Sequence, residues 1–149
     1  MGRSPKGFTL IEMLIVIAIV GILAAVAWPF LQNQIVKARL TEVTNGMSNV
    51  ASAVAAYYQD ASNGGAGTFP ACANKAEIQD SLGVSLGALT RINTISIDGT
   101  GVITVNLLGV SPLVDGENLT LTATVANDSS ITWIWGASAG FPTNLMPKR

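Results

Sequence analysis

A chain of 149 residues accommodates one modest domain plus an appendage, and its 49% hydrophobic against 11% charged residues is unevenly spread, with the densest apolar block near the N-terminus. A formal net charge of -1 supplies no basic stripe for phosphates, so bulk electrostatics do not indicate a nucleic-acid partner and leave only local patches open. Histidine is absent and Cys72 is the single cysteine, which removes the usual zinc ligand sets, every Ser-His or Cys-His catalytic arrangement and any intrachain disulfide.

The first element is the run KGFTLIEMLIVIAIVGILAAVAWP, Lys6 to Pro29. No residue from Met13 to Leu31 carries a charge. At ~1.5 Å per residue a helix over that stretch spans roughly 28 Å, close to the ~30 Å hydrocarbon core of a bilayer. Arg3 and Lys6 precede it, which favours a cytoplasmic N-terminus and places residues beyond about Lys37 outside. Two processing routes compete. In one, Arg3 and Lys6 lead an ordinary secretory signal with Leu14 to Leu23 as its apolar region, cut after Ala27 in Ala25-Val26-Ala27 to release a secreted binding domain. In the other the cut falls between Gly7 and Phe8, and the whole apolar helix stays on the mature chain. Glu12, sited where the apolar region should begin, and the helical pattern running past Trp28 weigh against the first route.

Gly7 followed by Phe8-Thr9-Leu10-Ile11-Glu12 and an apolar run with Gly21 and Pro29 resembles the class III signal of type IV pilins. The resemblance implies that a membrane-embedded prepilin peptidase removes residues 1 to 7 and methylates the new amine of Phe8. It also implies that Glu12, with Thr9 beside it as a further assembly residue, neutralises the Phe8 amine of a neighbouring subunit during filament formation. A carboxylate at the bilayer centre costs roughly 2.5 to 3.5 kcal/mol and less near the interface, so a counter-ion gives Glu12 a reason to be there. The helix dipole, which favours an anion in the first turn, is a plainer reason. Gly21 and Pro29 are the expected helix-breaking positions, since proline lacks the amide for the carbonyl of Ala25 and glycine weakens a helix by about 1 kcal/mol. Melting between them inside a filament, as the resemblance implies, and a simple kink are both open.

After Pro29 the apolar positions Val36, Leu40, Val43, Met47, Val50, Val54 and Tyr57 alternate spacings of four and three, predicting an amphipathic helix over residues 32–60. Three glycines and a proline in DASNGGAGTFP, Asp60 to Pro70, stop it and open a connecting loop over 61–89. Within that loop Asn74 caps a short helix, Glu77 takes its third position and Gly83 ends it. By the resemblance this connection is a variable surface region, which puts Cys72 partly exposed; as a residue type, a lone cysteine is a buried small hydrophobe or an exposed thiol able to pair between chains.

From Thr90 the period changes to two. Ile95 and Ile97, then Ile103, Val105 and Leu107 across the turn Asp98-Gly99-Thr100-Gly101, then Leu119 to Val125, and Ile131, Trp133 and Trp135 after Asn127-Asp128-Ser129 predict four antiparallel strands over 90–135. One face of that sheet packs on the Val36 to Tyr57 stripe, an α+β domain over 32–149 behind a leader (1–7) and a membrane or filament-core helix (8–31). Many pilins staple the C-terminal loop with two cysteines. This chain lacks them, so residues 136–149 must be held by packing through Phe141, Pro142 and Leu145.

Asp115, Glu117 and Asp128 read as solvated turn residues rather than calcium ligands, and no cofactor or metal is expected. Asn118 and Asn127 begin short sequons of a kind common by chance. The nine aromatics read as packing and interface residues rather than a conduction path. No nucleophile and base can be assembled, so an enzyme is not expected. The leading reading is a structural homopolymer subunit, by the resemblance a type IVa-like major pilin, membrane-held before assembly, whose polymerisation is driven by an inner-membrane platform and a cytoplasmic ATPase, as the resemblance implies. A minor pilin or a secretion pseudopilin is the alternative within that class. Motility, adhesion and DNA uptake are left open as roles of the filament.

Overall fold

The computed structural model describes residues 7–62 and 67–147. Arg3 and Lys6 of the leader, Gly64 and Gly65 of the helix-stopping stretch, and Lys148 and Arg149 of the tail lie outside the described residues. The chain divides into two compact units, residues 1–35 and 36–149.

Helix α1 runs Leu10–Ser62. In the first unit every described residue from Gly7 to Ile35 is exposed, including Leu10, Ile17, Ile22 and Val26. Neither Gly21 nor Pro29 ends the helix in the single chain. Pro29 removes one amide from the ladder, and the turns on either side keep theirs.

In the second unit, Leu40, Val43, Met47, Val50 and Val54 of α1 are buried in the core shared with the sheet, as the spacing predicts, with Val36 half-buried at its edge and Ala51 buried beside them. The last position of the stripe differs: Tyr58 is buried and Tyr57 is 40% exposed. A strict seven-residue repeat drifts by about 20° per heptad on a straight helix. Three heptads from Val36 therefore carry Tyr57 about 60° off the stripe, whereas the next residue stands about 40° off on the other side. Tyr58 is fixed there by the Phe69 ring, with centroids 4.6 Å apart.

Helix α2, Lys75–Leu82, has the expected ends. Asn74 Oδ1 accepts from the amides of Ala76 and Glu77, both at 3.0 Å, Glu77 returns a bond from Ala73 N at 2.6 Å, and Gly83 closes the helix at φ 69°.

Strands β1 (Ile92–Ile97), β2 (Val102–Leu107), β3 (Asn118–Val125) and β4 (Ile131–Ala137) form an antiparallel meander in the order β1-β2-β3-β4. Ile103, Val105 and Leu107 of β2 and Leu119 of β3 are fully buried, so β2 and β3 form the floor of the core. Ile92 joins them although it lies three residues before Ile95. A bulge between Ile92 and Thr94 inserts one residue and returns both isoleucines to the inner face.

Cys72 is 2% exposed, which corrects the partial exposure expected of it. Its amide donates to Ile97 O at 2.9 Å and its carbonyl accepts from Ile97 N at 2.7 Å, so the loop adds a rung to β1 and the thiol turns inward. At the other end Phe141 and Leu145 are buried and Pro142 half-buried, and Ser138 Oγ donates to the Glu117 carboxylate. Packing and this hydrogen bond hold the C-terminal segment, as expected of a chain with a single cysteine.

Candidate functional site

The site singled out by sequence is the segment from Gly7 to Glu12, where non-helical chain passes into helix. Gly7 and Phe8 precede the helix, and the Phe8 side chain is 78% exposed. Thr9 is the residue at which the backbone turns into α1, and Glu12 stands in the first turn. Glu12 Oε2 accepts from both Thr9 N and Thr9 Oγ1 at 2.8 Å. Thr9 Oγ1 in return accepts from Glu12 N at 3.3 Å. This is a reciprocal capping box, in which a hydroxyl residue and an acid three positions later satisfy amides left without partners at a helix start.

The structure thus brings Thr9 and Glu12 together, with the carboxylate fixed over the end of the helix where amide dipoles favour negative charge. Among the described residues Glu12 Oε1 takes no hydrogen bond. Gly21 and Pro29 are not brought to this cluster; both lie within α1, and open space surrounds the position a Cβ would occupy on Gly21. Sequence reading assigned Thr9 and Glu12 to assembly but missed their mutual cap. The signal was legible, since Thr-x-x-Glu immediately ahead of an apolar helical run is the written form of the box.

Helix α1 is long and apolar enough to cross a membrane. Its one acid before residue 37 is Glu12. The acids of the second unit do different work. Asp115 Oδ1 accepts from the amides of Val110 and Ser111, Asp128 Oδ1 from the amide and hydroxyl of Ser130, and each builds its own loop. Hydrogen bonds from the Ser130 hydroxyl and amide hold the Asp128 carboxyl below its ordinary value.

Residues 2–28 match the family model of the prokaryotic N-terminal methylation motif, and residues 36–149 match that of pilin, a bacterial filament protein. The chain belongs to the pilin family. The second match begins at Val36, where the second structural unit begins, and the first spans Gly7, Phe8, Thr9, Glu12 and Gly21. This pilin is 39% identical over 140 residues to the fimbrial protein EcpC of Eikenella corrodens, an alignment covering 92% of this chain and 86% of that one. It is 34% identical over 136 residues to the type IV major pilin protein PilE of Neisseria gonorrhoeae, covering 91% and 77%. A fimbrial protein of Neisseria meningitidis serogroup A is 34% identical over 141 residues, covering 91% and 75%. The long N-terminal helix with a four-stranded antiparallel sheet is the α+β pilin fold, and the chain is a type IV pilin by these likenesses.

Proposed function

We propose that this pilin is a structural subunit of a type IV pilus that a prepilin peptidase cuts after Gly7 and methylates on Phe8, and that polymerises through residues 8–31. Glu12 of one subunit neutralises the Phe8 amine of its neighbour. The precursor resides in the bacterial inner membrane, the assembled filament is extracellular, and a platform protein with its ATPase drives assembly.

The observation that carries this reading is the Thr9–Glu12 cap at the head of an otherwise uncharged, exposed helix. A cap of this kind contributes about 1 kcal/mol, and a carboxylate at the centre of an apolar bundle costs roughly 2.5 to 3.5 kcal/mol. The cap alone does not offset that cost. A facing ammonium does, because opposite charges attract far more strongly in a low-dielectric bundle than in water. Thr9 engages Oε2 and leaves Oε1 for the incoming amine. The match of residues 2–28 to the methylation motif supports the cut at Gly7 over the one after Ala27. The relatives named as type IV major pilin proteins favour a major subunit over a minor pilin or pseudopilin.

Glu12→Gln keeps an acceptor for the Thr9 cap and removes the charge. Expressed in place of the native chain, it is processed and membrane-inserted but yields at least about tenfold less sheared filament, since the neighbour's buried amine is left without a counter-ion. Thr9→Ala, which loses the cap and keeps the charge, gives the smaller loss. Equal filament yield from the native chain and Glu12→Gln contradicts the ion-pair reading.

A further inference from the structure

The two most exposed large apolar residues among those described in the second unit, Leu108 at 52% and Leu113 at 69%, sit on one loop between β2 and β3. That loop is rigidly built. Val110 and Val114 are fully buried, Asp115 Oδ1 clasps the amides of Val110 and Ser111, and Gly116 N donates to Leu107 O at 2.9 Å. Arg39 Nη1 donates to Val110 O at 2.9 Å, which ties the loop to α1. Arg91 also donates to the carbonyl of Gly109 on the same loop, while its Nε pairs with Glu42.

Arg39 follows Leu31, the last residue of the uncharged apolar run, by eight positions, and Lys37 is the first cation after it. Whatever path the backbone takes, eight residues reach no further than about 29 Å, so a surface tied to Arg39 remains within reach of the bilayer in which the run is embedded. Arginine and lysine just beyond a span prefer the headgroup layer, where their charge stays hydrated and their stems lie along apolar surface. Two leucines held out on a rigid loop tied to Arg39 gain by leaving water for an apolar surrounding.

We infer that the Leu108–Leu113 loop is a foot that inserts its two leucines into the lipid headgroup–acyl boundary while the subunit is held in the membrane, with Lys37 and Arg39 on the phosphates beside it. This rests on residues 8–31 spanning the membrane. The occupant of the surface is the phospholipid interface. A second copy of the chain covering the loop in the filament is the competing outcome.

The test uses the full chain reconstituted into vesicles of phosphatidylethanolamine and phosphatidylglycerol. Because Cys72 is buried, a nitroxide attached to a Leu113→Cys variant under native conditions reports position 113 alone. Collisions dominated by lipid-dissolved oxygen over a water-soluble nickel complex support the foot. Leu108→Ser in the same background then shifts the label toward water by roughly tenfold, the loss of one buried leucine. Water-like collisions in vesicles overturn the proposal, as does a label that is shielded only in sheared filaments. Alkaline carbonate extraction separates the two failures: a chain that stays in the pellet with a water-like label has a span and no foot, and a chain released to the supernatant has neither.

Discussion

Asp98 Oδ1 gathers Thr100 N at 2.9 Å, Thr100 Oγ1 at 2.7 Å and Val102 N at 2.9 Å, and so closes the turn between β1 and β2. Partial burial works against the charged carboxyl, and the bonds from Val102 and Thr100 outweigh it, leaving Asp98 below its ordinary value of 3.8. A carboxyl depressed in the folded state contributes stability above its unfolded pKa and loses it as pH falls through the folded one. Asp98→Asn is therefore less stable than the native chain near neutral pH, and the gap narrows as pH drops below 3.8. Chemical denaturation in detergent at neutral and strongly acid pH measures this, and a gap independent of pH contradicts it. Glu12 uses the same device at the other end of the chain, one oxygen closing a turn of backbone while the other takes no hydrogen bond among the described residues.

Among the elements, the β3–β4 hairpin carries visible strain. Ser129 is the one non-glycine residue with positive φ among those described, at 63°, a conformation that costs an L-residue about 1 kcal/mol or more and glycine nothing. Ser129→Gly is expected to raise stability by up to about 1 kcal/mol in the same denaturation experiment, less the added entropy of the unfolded glycine; a clear loss of stability contradicts the account. The elements themselves were legible because their periods are unambiguous: Leu40 to Val54 repeats every three to four residues, and Ile103, Val105 and Leu107 every two. What escaped reading depends on contacts between segments distant in sequence. The Cys72 rung needs β1 to lie beside it, the Ile92 bulge needs the register of β2, and the choice of Tyr58 over Tyr57 needs the phase of a long helix and the Phe69 ring. The candidate site was legible at its ends, Gly7, Phe8 and Glu12, because the motif is compact. The Thr9 cap was written there too, in a pattern read for another purpose.

At the scale of the whole molecule, two units with opposite solvent preferences share one chain. The second buries its own core from Leu40 to Leu145 and closes its C-terminal segment by packing Phe141 and Leu145, with no disulfide available to Cys72. The first exposes Leu, Ile and Val at every described position, and such a surface is stable only in lipid or against other copies of itself. The proposed passage from one environment to the other rests on the pairing of Glu12 with a new amine at Phe8, an amine that would exist only if the chain is cut after Gly7. Mass spectrometry and N-terminal sequencing of subunits from sheared filaments test this most directly. The account predicts a mature chain that begins at Phe8 with a methylated amine and retains residues 8–31. A chain that begins at Trp28, or that retains Met1 through Gly7, would contradict it.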